Sequence, residues 1–377
     1  MNLCDLCGVK YLMTPGIKII LMVNRDNLLY PLNLLFRDIS CYFVGRKKSY
    51  PPGDNQKNMS RFSFEPVDNS KALKFWNDSP HASVFTHPDV LSKLCFTVEW
   101  WMACKGCEPY CLWPVCLGRD KTVEIPGPVY YAGPMWSRAG ATIPVHSRLA
   151  DSQSVYQGLA SRLIDTYGVI NAQLPVGVQD VRPFAWWNSH QKDRPGFNIM
   201  PRYTARLENL SRLEPQEILS GYRPVRRKEI RRLQRQGAPE RSLDWDQEEL
   251  ATFFCRELEA QGLDLTGPGR DLVHSLTGLA AQGWGEIIAF RDPENRDLTS
   301  ALVLLRAGGV SNMVLNITSR KWRSQGLNSW TIHQGILAAK ACGDDVCDFN
   351  GANSPERGDD KHSYGAEARL YFELKYP

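Results

Sequence analysis

Apolar positions along this chain recur with a helical period in some stretches and alternate in others, and the alternation is most legible in the second half. Asp246 and Glu249 have capping-box spacing and open a helix over "QEELATFFCRELEAQG" that stops at Gly262; a second helix ends near Gly283. Three strands follow, "WGEIIAF", "LTSALVLLR" and "SNMVLNITS". The breaks between them, "RDPENRD" and "AGG", have the turn chemistry of antiparallel neighbours. A helix at 327–342, the strand "DVCDFN", a polar break of about fifteen residues and the strand "ARLYFELKY" come last.

The first half repeats the order. Short helices at 70–78 and 87–93 precede a strand meander at 94–131. The next helix opens near Asp151 and Ser152, with Tyr156, Leu159 and Leu163 on one face and Gly168 where a left-handed residue ends it; the strand "VINAQLP" follows. Residues 1–58 lack this periodicity and end in the basic, Pro/Gly-rich "GRKKSYPPGDNQKN", after which Met59 reads like a natural start. The expected organisation is a loosely attached extension, 1–58, followed by an α/β domain at 59–215 and a second at 216–377. Each would be a mostly antiparallel sheet flanked by helices.

Composition fits that picture. A chain of 377 residues with 43% hydrophobic and 23% charged side chains is globular and long enough for two cores. The net charge of +4 permits an anionic ligand without requiring a nucleic acid. The apolar run Ile17–Val23 is too short to span a bilayer, and no cleavage signal follows it, so a cytoplasmic protein is expected. Eleven cysteines are an odd number spread over a long chain, which argues against a disulfide framework. The pairs Cys4/Cys7 and Cys104/Cys107 raise a zinc site. However, "WWMACKGCEPYCLWPVCLG" alternates like two strands around a Lys-Gly turn, so its cysteines read as small strand residues and no metal is expected.

The candidate chemistry lies in "NMVLNITSRKWRSQGLNSWTIHQG". A strand enters Ser319–Gly326 and a helix starts at once, exposing unpaired N–H groups at the positive end of its dipole. Arg320, Lys321 and Arg323 crowd the turn, Ser324 and Gln325 fill it, and Gly326 permits close backbone approach. These are the requirements of a phosphate cradle; a solvated strand-to-helix turn satisfies the same pattern. No Ser-His-Asp or Cys-His order is apparent, so direct attack on a bound donor is the expected mechanism. The run at 223–236 carries seven positive charges on a helix whose buried stripe holds Ile230 and Leu233, and reads first as a solvated face.

The element order is similar to that of GNAT acyltransferases, here in tandem. The turn "RSQGLN" resembles their basic-x-x-Gly-x-Gly/Ala pyrophosphate loop, with Asn328 in place of the second small residue. Asp348–Phe349–Asn350–Gly351, Ser354–Pro355–Glu356 and "DKHSYGAEARLYFELKY" resemble the tail of the Fem-type branch. "SVFTHPDVL" and Pro201–Arg202–Tyr203–Thr204 share that likeness, which spans 59–377.

The resemblance implies an acyl-CoA or aminoacyl-tRNA donor and an amine or hydroxyl acceptor on an envelope or polysaccharide precursor. It also implies tRNA, or the inner membrane face, as possible partners. Lys361 would bind phosphate or stabilise the oxyanion, and its loss would lower turnover with little effect on melting. Tyr364 would donate a hydrogen bond, Asp348 would orient the amine, and Asn350, Asn353, Arg202 and Tyr203 would contact the acceptor. A catalytically silent glycan- or nucleotide-binding module and a tRNA-dependent peptide ligase are the alternatives.

Overall fold

The computed structural model describes residues 10–14, 17–21 and 61–377, apart from 179, 192, 264 and 266. The chain divides into two units, Met1–Pro51 and Pro52–Pro377. Within the first, β1 (Lys10–Thr14) and β2 (Ile17–Leu21) pair as an antiparallel hairpin.

The second unit is built on two sheets. The smaller has the order β3-β4-β5-β6, from Phe62–Val67, Thr97–Lys105, Glu108–Leu117 and Met135–Trp136. The larger has the order β7-β14-β8-β13-β12-β11-β10-β9. Its members are β7 (Ile170–Gln173), β8 (Asn198–Glu208), β9 (Arg241–Ser242), β10 (Gly285–Arg291), β11 (Leu298–Ala307), β12 (Val310–Thr318), β13 (Val346–Asp348) and β14 (Glu367–Tyr376). Among the described strands, only β12 and β13 run parallel. The fold is therefore mixed α/β, with mostly antiparallel sheets flanked by helices.

Strands from both sides of residue 215 share the larger sheet: β7 and β8 flank β14, and β8 also pairs β13. A hydrophobic core crosses the same point, joining Phe85, Trp100 and Leu112 to Phe254, Ala301 and Val303. A separate core packs the helix Leu327–Ala341 and β13 against the other face of the sheet.

Several elements form where the pattern places them. The Asp246 carboxylate accepts from Glu249 N at 2.7 Å at the start of Gln247–Glu259. Gly168 ends its helix in the left-handed region, φ 78°. Two differences have clear causes. The helix expected from Asp151 begins at Val145, directly after Pro144. Asp151 is buried in that helix, where it accepts from Arg61, Lys105 and Tyr110. The polar break after β13 contains the helix Pro355–His362, which opens on a proline at its first position. Of the cysteines expected to serve as small strand residues, Cys104, Cys111 and Cys116 are buried in β4 and β5, while Cys107 is exposed at their turn.

Candidate active-site cleft

The site begins where the parallel pair parts. β12 and β13 pair only through Asn312↔Asp348, after which β12 continues to Thr318 and the other chain turns away at Asn350, φ 53°. A bulge in the β11–β12 register leaves Val314 as an extra residue between Met313 and Leu315. It bends β12 and re-aims its edge. Asn350 bridges the opening by donating Nδ2 to the Met313 carbonyl at 3.0 Å. The resulting cleft, about 720 Å³, is lined by Met313–Thr318, Arg323, Asn328, Asn350 and Lys361, with Gly127, Pro128 and Tyr130 contributed from before residue 215.

One wall is the turn that the sequence marks as an anion cradle. Ser319, Arg320 and Lys321 open it, and its own N–H groups are largely spent: Trp322 and Arg323 donate to Ser319 O, Gln325 to Trp322 O and Gly326 to Arg323 O. The first turn of Leu327–Ala341 differs. Gly326 caps it with φ 86° and no side-chain cap, and the N–H groups of Leu327, Asn328 and Ser329 have no acceptor among the described residues. These donors sit just beyond the turn, at the positive end of a fifteen-residue helix; of the three residues Asn328 lines the cleft, while Ser329 Oγ donates to the Glu229 carboxylate at 2.5 Å.

Asn328 fits in the small-residue position because its side chain folds back onto β12. Its Oδ1 accepts from Asn316 Nδ2 at 3.1 Å and from Thr318 Oγ1 at 3.3 Å. Arg323 donates twice to the Thr318 carbonyl, at 2.8 and 3.2 Å, which holds an exposed guanidinium at the cleft. Lys321 is drawn away to Asp292 at 3.1 Å, and Ser324 turns back onto the Lys321 carbonyl. The Glu294 N–H and then Lys321 hold the Asp292 carboxyl below its ordinary range.

The facing wall carries Asn350 and Lys361. Asn350 is buried, and its Oδ1 has no hydrogen-bond partner among the described residues. An unmade bond of that kind normally costs about 1–3 kcal/mol, and the residue that carries it lines the cleft. Lys361 Nζ donates to the Asn350 carbonyl and, at 2.5 Å, to the Gly351 carbonyl, which fixes the loop that Asn350 occupies.

Other sequence-marked residues lie outside this lining. Asp348 is fully buried. Its Oδ1 accepts from Thr204 Oγ1 at 2.5 Å and Asn350 N at 2.8 Å, and its Oδ2 from Arg206 at 2.7 Å and Tyr131 at 3.1 Å. Tyr364 is packed between Phe349 and Tyr222, and its hydroxyl donates to Ser329 Oγ at 3.1 Å. Burial raises its phenol well above the ordinary value, which keeps it protonated at neutral pH. Arg202 pairs with Glu373 at 2.9 Å. Tyr203 N donates to Asn353 Oδ1 at 2.7 Å, an arrangement that seams the loop to β8.

The sequence reading missed Tyr130, Asn316 and the Val314 bulge. Tyr130 carried a signal only as one of many aromatics, and a bulge has no local signature. At the N-cap and in the first turn of the basic helix Pro224–Gln236, three cations are structural. Arg223 pairs with Asp359, Arg226 donates to Glu229, Asp360, Ser363 and Ser329, and Arg227 holds the Ser220 and Tyr222 carbonyls.

This geometry coincides with a recognised module. Residues 220–361 match the family model of the acetyltransferase (GNAT) domain. The chain carries a GNAT-superfamily domain. The matched segment spans the basic helix, β10 to β13, the cradle helix and Lys361, and so holds most of the cleft lining, with Gly127, Pro128 and Tyr130 outside it.

Among solved structures, FemX is 12% identical with a TM-score of 0.51, covering 82% of this chain and 96% of its own. A tandem GNAT protein from the clavulanic acid biosynthesis pathway is 10% identical, covering 84% and 98%, with a TM-score of 0.49. L-PGS from Bacillus licheniformis is 12% identical, covering 81% and 91%, with a TM-score of 0.48. At such identities the FemX likeness concerns the fold. No curated protein sequence matches the chain.

Proposed function

We propose that the protein is a Fem-related acyltransferase whose GNAT domain binds an acyl donor in the β12–β13 cleft and passes the acyl group directly to an amine or hydroxyl. The observation that carries this reading is the parting of β12 from β13 beside three unpartnered N–H groups at a helix start. An extended donor would lie along the open β12 edge, with its phosphates at Leu327–Ser329 and Arg323. The acceptor nucleophile attacks the acyl carbon, the tetrahedral oxyanion forms beside a cationic donor, and the thiol or ribose oxygen of the donor leaves with the acceptor's proton. Lys361 is our choice for that cation, and Asn350 Oδ1 for an acceptor to a donor-bound N–H. In this reading 59–215 and 216–377 are the two tandem halves, and a cytoplasmic enzyme acts on an envelope or polysaccharide precursor.

Isothermal titration of acetyl-CoA and coenzyme A into the full chain tests the proposal. Saturable binding, weakened about tenfold in Arg323→Ala, supports it, with a melting shift equivalent to about 2.7 kcal/mol at a hundredfold excess over Kd. Absence of binding at about millimolar ligand rejects coenzyme A as the donor.

Lys228, Arg231 and Arg235 are exposed on the basic helix, and they favour aminoacyl-tRNA as the second donor. A tRNA contact weakens steeply with salt through counterion release, whereas one small anion does not.

A further inference from the structure

A second cavity, about 420 Å³, is lined only by residues that precede position 215 and shares none with the acyl-transfer cleft. Its volume is in the range of small-molecule sites, about 300–1,000 Å³. One wall is the helix Val145–Tyr167, presenting Gln153, Ser154 and Gln157; the other is the turn after Arg182–Ala185, presenting Trp186, Trp187 and Asn188.

Two features show that this is a prepared polar site. Gln153 Oε1 and the Trp187 indole N–H are both buried, and neither has a hydrogen-bond partner among the described residues. The two residues that carry this unmet acceptor and this unmet donor line a single cavity. The turn that carries Trp187 is also held in place. Asn188 sits at φ 52° and donates Nδ2 to the Pro195 carbonyl at 2.8 Å, while the Trp187 ring meets Phe197 and Tyr376 edge-on, at 5.6 and 6.3 Å between centroids.

The chemistry narrows the ligand. Among the described residues no Lys, Arg, Asp or Glu lines the cavity, and the lining is mainly neutral: Gln, Ser, Asn and Trp, with His190 at its edge. Arg182, nearby, is paired with Asp180 at 2.8 Å and lies 5.7 Å from the centroid of the half-exposed Trp186 ring. A hydroxyl group accepts one hydrogen bond and donates another, which is what an indole N–H and an amide carbonyl require. Indole rings offer apolar faces to C–H surfaces.

We propose that this cavity binds a neutral sugar ring. A hydroxyl, or two adjacent ones, accepts from Trp187 Nε1 and donates to Gln153 Oε1, and the Trp186 indole takes an apolar ring face. The site is independent of the acyl donor and stands whether or not the cleft binds coenzyme A.

The test is calorimetric titration of the full chain with cellotriose, chitotriose and maltotriose, with trigalacturonate and uridine as contrasts. Trp187→Phe removes the N–H and keeps a ring; Gln153→Met removes the carbonyl at similar length. The expected result is saturable binding of at least one neutral trisaccharide, with trigalacturonate and uridine at least about tenfold weaker. Either variant should weaken that binding about tenfold, and Gln153→Met should not lower the melting temperature, because it deletes a polar atom that had no partner. The proposal is overturned if no neutral trisaccharide binds, if uridine or trigalacturonate binds as tightly, or if both variants bind like the parent.

Discussion

Arg206 Nε donates to Asp348 Oδ2 at 2.7 Å, joining β8 to the strand that closes the cleft. The Asp348 side chain is fully buried and that of Arg206 is 16% exposed. Tyr131, far earlier in the chain, donates to the same carboxylate oxygen. Removing one partner leaves a desolvated charge behind. Asp348→Ala is therefore expected to cost about 3–5 kcal/mol, read as a shifted urea midpoint. A wild-type midpoint with activity lost would instead make Asp348 a reacting group.

Lys361 stands differently. From sequence alone its removal is expected to spare stability, but its bonds to the Asn350 and Gly351 carbonyls tie down the loop that forms one wall of the cleft. Lys361→Met should lower turnover by about 100-fold or more if the amine faces the oxyanion. It should also lower stability by about 1.5–3 kcal/mol, because charged hydrogen bonds are lost. Full turnover in the variant would remove Lys361 from the chemistry.

Arg323 separates binding from folding. The guanidinium is exposed and bonds only the Thr318 carbonyl among the described residues. Arg323→Ala is expected to weaken coenzyme A or tRNA binding by about tenfold and to leave the melting temperature close to wild type. Unchanged affinity for both donors would exclude the turn as the anion site.

The protein should also be sensitive to acid. Burial pushes His333 down to about 4, and its Nδ1 lies 3.0 Å from the Tyr222 hydroxyl in the core behind the cradle helix. His81 and His87 are lowered by burial as well. An unfolded histidine takes up its proton near pH 6.5, well before the buried one does. The stabilisation is complete above that pH and is lost as pH falls from about 6.5 toward 4, by up to about 3 kcal/mol for His333. Chemical denaturation against pH, compared with His333→Phe, checks this; equal slopes would rule the group out.

The local signals in this chain were dependable where backbone chemistry decides the outcome. Asp246 capped its helix, Gly168 took the left-handed conformation that ends its helix, and the three antiparallel strands from 285 to 318 formed as the alternation requires. The strand-to-helix turn at Ser319–Gly326 and the break after β13 could be located from polarity and spacing alone. They do meet at one cleft, through Arg323, Asn328, Asn350 and Lys361.

Which side chains turn inward was a tertiary decision. Asp348 and Tyr364 look like exposed polar residues in a list, yet the packed chain buries both, Asp348 accepting from Thr204, Asn350, Arg206 and Tyr131 and Tyr364 donating to Ser329. Asn350 is the converse, a loop residue held at positive φ whose side-chain Oδ1 has no partner among the described residues. The Val314 bulge lies just past the last β12–β13 pair, and the pairing of β8 with β13 and β14 joins residues more than a hundred positions apart. Periodicity reports which face of a segment is apolar; only the packed chain determines what lies against that face, and therefore which polar atoms remain for a ligand.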